Sequence, residues 1–309
     1  MCYSCLHTHT TFCDGEDDIE TFCQVAYEKG LDSLGFSAHA PIRKKTGWAS
    51  DWHLPDERLS EYLDAVREAR RRWEGRLRVF VGLEIDFISG LIGPADRDYR
   101  ELGLDYCIGS VHYLIPPRGE PFEVDGSPEK FARGIEEGFS GDAEAMVDAY
   151  WDAEEALIRA GGFDILGHID LIKKNNQDKR WFSLESETYC VHLVRIVDCI
   201  AQTYGTSPFV VEVNTGGLNR GKTRDTYPSL PLLRLLRERD VPLIITADAH
   251  RACHLDGHYA VAQETLRELG YQNRYKPLAF SHGVTDKGTR FSLVGFDIYE
   301  YITYIRNHS

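Results

Sequence analysis

Seven short, apolar, strand-like runs alternate with helix-period segments along this chain, and that alternation leaves few folds open. The runs are Cys2–Leu6, Ser33–Ser37, Leu77–Ile85, Asp105–Val111, Phe163–Gly167, Phe209–Asn214 and Pro242–Ala247. Between them lie Asp18–Lys29, Pro55–Trp73, Asp142–Arg159, Leu184–Tyr204 and Leu230–Arg239, each with an apolar stripe and a charged face. Strands that alternate with helices pair in parallel beneath those helices, so the pattern predicts an α/β fold, closed as a barrel or doubly wound. No linker, low-complexity tract or fixed repeat divides the 309 residues, and α/β barrels of this length fold as one domain. Residues 1–280 are expected to form that domain, with 281–309 as a C-terminal segment packed on it. Two long connections, Tyr113–Gly141 and Lys173–Ser183, read as excursions over one end of the fold, where long loops either carry function or serve as decoration.

Each run ends in a metal-ligand residue type. The first leads into His7-Thr8-His9, with Asp14 five residues beyond. The others lead into His39, Glu84, His112, His168 with Asp170, Glu212 with Asn214, and Asp248-Ala249-His250. A lone His-x-His is weak evidence of anything. In a parallel sheet, however, the C-terminal strand ends share one face, and that face is where active sites sit. Six of the twelve histidines fall there; His53, His192, His254, His258, His282 and His308 fall elsewhere. Six imidazoles and three carboxylates buried together without a cation would carry a desolvation cost of several kcal/mol. Mixed imidazole and carboxylate ligands suit zinc, iron or manganese better than magnesium or calcium. Nine ligands exceed the needs of one ion, and Glu84 is suited to bridge two, so the site is expected to hold two or three divalent transition metals.

The formal charge of −14 argues against a track for extended nucleic acid or an anionic membrane surface. No apolar run reaches a membrane span, and Met1–Leu6 lacks the charged and apolar regions of a secretion signal, so a cytoplasmic location is expected. The eight cysteines lie mostly in apolar segments, as reduced, buried thiols would; Cys2-x-x-Cys5 has no second pair to complete a zinc ribbon.

These residues, in order, resemble the motifs of the PHP (polymerase and histidinol phosphatase) superfamily: His7-x-His9-Thr10, Phe36-Ser37-Ala38-His39, Gly82-Leu83-Glu84, Gly109-Ser110-Val111-His112, Gly167-His168-Ile169-Asp170, Glu212-x-Asn214-Thr215 and Asp248-Ala249-His250. Asn214-Thr215-Gly216-Gly217-Leu218 leading to Tyr227-Pro228-Ser229 looks most like the branch of monofunctional histidinol-phosphate phosphatases. The resemblance implies a distorted seven-stranded (β/α) barrel, similar to a TIM barrel, with a trinuclear site. It would give one metal His7, His9, Glu84 and Asp248, a second Glu84, His112 and His168, and a third Asp14, His39 and His250. It also implies hydrolysis of L-histidinol phosphate to L-histidinol and phosphate, in histidine biosynthesis, by in-line attack of a metal-bridging hydroxide. Glu84, Asp248 and His250 would be the catalytic side chains.

Candidates to hold the phosphorylated substrate are Arg220, Lys222, Arg224 and Asn214, with Lys173, Lys174 and Arg43, Lys44 and Lys45 as further nearby cations. Arg220 leads, although relatives often carry arginine directly after the leucine, where this chain has Asn219. Two alternatives stay open: another PHP-type phosphoesterase, acting on a different small phosphomonoester or a nucleic-acid end, and a non-catalytic metal-binding module. The state of assembly is left open, a homo-oligomer included.

Overall fold

The computed structural model describes residues 3–271. Seven strands form one sheet in strict chain order: β1 (Tyr3–Cys5), β2 (Leu31–His39), β3 (Arg78–Asp86), β4 (Tyr106–Ser110), β5 (Ile165–Leu166), β6 (Val210–Asn214) and β7 (Leu243–Thr246). Every neighbouring pair is parallel. The sheet curls into a nearly closed barrel. Its ends meet just past the two terminal strands, where Thr8 and Ala249 form a parallel bridge; Ala249 O accepts from His9 N at 2.9 Å and Ala249 N donates to His7 O at 3.0 Å. The two histidines of the first motif therefore sit on the closing seam.

The period of two sorts each strand into an outer and an inner face. In β3, Val79, Val81, Leu83 and Ile85 face outward into an apolar cluster shared with α1 (Ile19–Glu28) and α2 (Leu59–Trp73). Phe80, Gly82, Glu84 and Asp86 take the inner face. The lower interior is packed with Leu6, Phe80, Tyr106, Ile108, Ile165 and Val210. Gly35 and Gly82 are small there because Tyr106 lies across them: a Cβ on Gly82 would meet its ring at 2.5 Å, and one on Gly35 its hydroxyl at 2.4 Å. The Tyr106 hydroxyl donates to Leu6 O at 2.6 Å. This plug closes one end of the barrel, so the polar inner residues collect at the other.

On the far side α3 (Ala143–Ala160), α4 (Glu187–Tyr204) and α5 (Leu230–Glu238) cover β4 to β6 through a second large apolar cluster. Asp18, Asp142 and Ser186 cap α1, α3 and α4 by accepting from Thr21, Ala145 and Tyr189 N–H groups. All seven expected strands are present, β5 being shorter than its apolar run. A helix that the periodicity did not single out, α6 (Tyr259–Glu268), packs Ala262 and Leu266 against Val213 and Leu233. The long connection after β4 is not wholly irregular: it holds a two-stranded ribbon (Tyr113–Leu114 with Phe122–Glu123) and a short helix, Pro128–Arg133. Among the described residues no helix is long and apolar enough to cross a membrane. The expected C-terminal segment, 281–309, lies outside the described residues.

Candidate metal centre

The strand ends bring all nine expected metal ligands into one cluster. Glu84, on the inner face of β3, is at its middle and is essentially unexposed. Its Oε2 lies 3.1 Å from His7 Nε2, 3.5 Å from His9 Nε2 and 2.9 Å from His39 Nδ1; its Oε1 lies 2.9 Å from His168 Nε2 and 3.6 Å from His112 Nε2. Ser110 donates to the same Oε1 at 2.6 Å. Asp248 Oδ1 faces His9 Nε2 at 3.3 Å and His7 Nε2 at 3.8 Å. At the outer edge, Asp14 meets His250 Nε2 at 3.0 Å, His39 Nε2 at 3.6 Å and His9 Nδ1 at 3.8 Å. Ligand atoms group as His7, His9 and Glu84; His7, His168 and Asp248; His39, Glu84 and His112; and His9, Asp14, His39 and His250. These groups overlap more than the three sets the resemblance implies, since His39 faces Glu84 as well as Asp14.

The donor set fits cations. His7 Nε2, His9 Nε2, His39 Nδ1, His168 Nδ1 and Glu84 Oε2 are buried and make no hydrogen bond. Unpaired buried groups cost about 1–3 kcal/mol each, a cost that coordination removes. The field has the right sign. Burial opposes charge on His7, yet Glu212, Glu84 and Asp248 raise its pKa well above the usual imidazole value. His112, likewise buried, is pushed up to about 10 by Asp86 and Glu84. Despite burial, the imidazoles hold Glu84 well below the carboxylate range, as Arg220 and His7 do Asp248. His9, desolvated and crowded by His39 and His250, falls to about 3 and is a neutral donor.

Behind the nine stands a set of carboxylates that aim them. Glu212, fully buried on the inner face of β6, accepts from His7 Nδ1 at 2.5 Å, from His168 N at 2.7 Å, from Asn214 Nδ2 at 3.0 Å and from the Thr246 hydroxyl. Asp86, two residues after Glu84 and so on the same face, accepts from His112 Nδ1 at 2.8 Å. Its other oxygen lies 2.6 Å from His53 Nε2, and His53 Nδ1 lies 2.7 Å from Ser50 Oγ. His53, which follows no strand end in the sequence, is carried back to the site by the β2–β3 loop, and no spacing signals that return. Asp86 was legible from the strand period. Asp248 has φ of 45°, in the left-handed region, a conformation costing about 1–3 kcal/mol for a non-glycine residue that the neighbours must hold. Arg220 Nη2 at 2.9 Å and Asn214 Nδ2 at 3.3 Å hold it.

A cavity of about 190 Å³ opens over the cluster, lined by Asp14, His39, Glu84, His112, His168, Asp248 and His250 together with Trp52, Glu123, Asp125, Lys174 and Arg220. Arg220 Nη1 is 3.0 Å from His250 Nδ1, and its Nε is buried without a partner. The other expected substrate residues are placed differently. Lys222 is exposed and outside the cavity, and Arg224, with its side chain 96% exposed, faces Asp178 at 3.7 Å. Asn214 is fully buried and its amide is spent on Glu212, Asp248 and Gly216 N–H. It positions the site and is not exposed to a substrate. Lys173 turns to Asp170, Asp225 and Thr226 O, while Lys45 pairs with Asp96; Arg43 and Lys44 are likewise absent from the cavity wall.

A family model described as PHP domain matches residues 6–216. Over 266 residues the chain is 29% identical to a Deinococcus radiodurans protein named "Probable histidinol-phosphatase", covering 85% of this chain and 92% of the relative. It is 24% identical over 257 residues to the histidinol-phosphatase of Bacillus subtilis, covering 80% and 92% of the two. Among solved structures, a candidate histidinol phosphatase of Listeria monocytogenes superposes with a TM-score of 0.73 at 23% identity, covering 84% of this chain and 99% of its own. The histidinol phosphate phosphatase of Lactococcus lactis, solved with Zn, L-histidinol and phosphate, superposes with a TM-score of 0.60 at 20% identity, covering 86% and 93%. At these identities the two structures establish the shared barrel.

Proposed function

Because the chain belongs to the PHP domain family, we propose that it is a metal-dependent phosphomonoesterase that hydrolyses L-histidinol phosphate to L-histidinol and phosphate. The observation that carries the reading is one cluster of nine ligand side chains, seven of which line a cavity together with Arg220. The names of the two curated relatives, each covered over nearly its whole length, support the choice of substrate. We infer two or three divalent transition ions, zinc, iron or manganese. The residues that would hold them are His7, His9, Asp14, His39, Glu84, His112, His168, Asp248 and His250, with Glu84 shared. When bound, such ions lower the pKa of water and neutralise charge on a phosphoryl group. A cytoplasmic setting and a small phosphorylated substrate complete the reading.

The chain's own residues have separable tasks. Arg220 orients the phosphoryl group: its unpartnered Nε and the fork it presents beside Asp248 match phosphate oxygens in geometry and charge. Glu212 and Asp86 fix which nitrogen of His7 and of His112 faces the cluster. His250 and Asp248 lie beside Arg220, and Asp248 accepts its Nη2 N–H, which holds the guanidinium over the cluster. Lys222 and Arg224 take no part.

The test is a phosphatase panel of histidinol phosphate, sugar phosphates, nucleotides and an oligonucleotide, run on purified protein whose metal content is measured. The reading expects more than one equivalent of transition metal, activity lost on chelation, and a clear preference for histidinol phosphate. Preference for another ester overturns the substrate; activity that survives chelation overturns the metal chemistry.

A further inference from the structure

His7 and His112 are each aimed by a carboxylate on the far nitrogen, and His168 is not. Glu212 takes His7 Nδ1 and Asp86 takes His112 Nδ1, whereas His168 Nδ1 is buried and makes no hydrogen bond. The place of the His168 ring therefore depends on its main chain. Its N–H donates to Glu212 Oε2 at 2.7 Å, and the residues after it turn at once, Leu171 N–H closing onto His168 O at 2.8 Å.

That turn is clamped from α3. The Tyr150 hydroxyl lies 3.1 Å from Ile169 O and 3.1 Å from Leu171 N, so it grips the backbone on both sides of Asp170. Asp170 in turn accepts from Ser229 N at 2.7 Å and meets Lys173 Nζ at 3.3 Å. The same hydroxyl lies 2.8 Å from Glu154 Oε1, one helical turn further along α3.

A hydroxyl has one proton. Leu171 N can only donate to it and Ile169 O can only accept from it, so the Tyr150 proton is spent on Ile169 when both clamp bonds are made. Glu154 must then supply the hydrogen of the third bond, from a proton on Oε1. An ionised Glu154 would draw the Tyr150 proton to itself and leave Ile169 O without that bond. The surroundings agree. Glu154 is 1% exposed and its Oε2 is buried without a hydrogen bond, which is costly for a charge and tolerable for a neutral acid. Burial, with Asp170 adding to it and against Tyr150 and His112, raises its pKa well above the usual carboxyl range.

We propose that Glu154 is a protonated, hydrogen-bond-donating positioning residue that acts through Tyr150 to fix the turn carrying His168, and so the presentation of that histidine to metal. This rests on the metal-centre reading above and goes beyond it, since neither Glu154 nor Tyr150 lines the cavity.

The test uses E154Q, E154M and Y150F, with zinc affinity measured against a chromophoric chelator and stability by urea unfolding. Glutamine keeps an NH2 to donate to Tyr150, so E154Q should bind zinc within about threefold of wild type. E154M loses the donor and Y150F the clamp, and each should bind roughly tenfold more weakly or worse. A side chain that merely fills the core would lower the unfolding midpoint of E154M and leave the zinc affinity of the folded protein unchanged; that result overturns the proposal. An E154Q as impaired as E154M overturns it too. If E154M does not fold, Y150F decides, because it removes a single oxygen, and wild-type zinc affinity there removes the clamp. The proton is read separately: infrared difference spectra of wild type against E154Q at neutral pH should show a protonated carboxyl band, and a carboxylate band in its place overturns the donor. Should wild type bind no zinc, the metal-centre reading fails by itself. The proposal is then decided by the infrared band and by the amide chemical shifts of His168 to Leu171, which should move in E154M and stay in E154Q; equal movement in both overturns it.

Discussion

Replacing Glu212 by Gln should leave a folded barrel that has lost its grip on metal, and the reason lies in a proton on His7. Four donors point at the carboxylate. His168 N–H and the Asn214 amide share Oε2, while His7 Nδ1 and the Thr246 hydroxyl share Oε1. A glutamine has one oxygen and one NH2. The backbone N–H of His168 cannot become an acceptor, and Asn214 is held by Gly216 N–H on its Oδ1, so the glutamine oxygen stays on that side. Its NH2 then faces Thr246, which can rotate its hydroxyl, and His7, which can accept only by giving up the Nδ1 proton. That proton moves to Nε2, the atom that faces Glu84 at 3.1 Å and Asp248 at 3.8 Å, and a protonated Nε2 cannot ligate. The fold should lose about 1–3 kcal/mol, the cost of one imperfectly paired buried group. Metal affinity should fall roughly 10–100-fold, as when such orienting partners are removed elsewhere. Zinc titration against a chromophoric chelator measures the affinity, and nitrogen chemical shifts of His7 report the tautomer. Wild-type affinity within about threefold, or an unchanged tautomer, would refute the reasoning.

Glu84→Gln should reduce turnover below detection while near-wild-type circular dichroism shows an intact barrel, because the Glu84 carboxylate lies within 3.1 Å of both His7 Nε2 and His168 Nε2. Arg220→Ala should lower kcat/KM roughly 10–100-fold through loss of a charged phosphate contact, measured by steady-state kinetics at constant metal content. Gly82→Ala would drive a methyl into the Tyr106 ring and should cost about 1–3 kcal/mol in urea unfolding, with metal content intact in the protein that remains folded. Glu154 is buried beside Tyr150 and is raised well above the usual carboxyl range, first by desolvation and then by Asp170. A raised folded-state pKa means stability that is complete below the unfolded value near 4.5 and declines as pH rises toward the folded one. Denaturation midpoints of Glu154→Gln measured from pH 5 upward should therefore lack that decline; parallel profiles for variant and wild type would exclude a neutral Glu154.

What the sequence made legible here, and what it hid, divides along one physical line. The barrel and its nine candidate ligands were readable because both depend on local regularities: the 2.0 and 3.6 periods, and the rule that parallel strands end on one face. Asp86 obeys the same rule, two residues past Glu84 on the same face of β3. His53, Trp52, Glu123 and Asp125 obey no such rule. Trp52, Glu123 and Asp125 reach the cavity, and His53 reaches Asp86, on segments between the barrel strands whose course is set by tertiary contacts, such as Trp52 on His53 and Tyr113, and not by any local repeat. The expected phosphate contacts divide the same way. Arg220 follows directly on β6 and its short helical turn and is tied to Asp248, whereas Lys222 and Arg224, two and four residues further on, are already on the surface. Proximity in sequence to a strand end thus predicts a place in the site only while the backbone stays bonded to the barrel. A charge of −14 counted over the whole chain says nothing of how charge is placed at the site. Within the cavity the signs are mixed: Arg220 and Lys174 stand there among the carboxylates of Asp14, Glu84, Glu123, Asp125 and Asp248. Net composition could not have revealed two cations placed among those carboxylates, where an anionic phosphoryl group would need them.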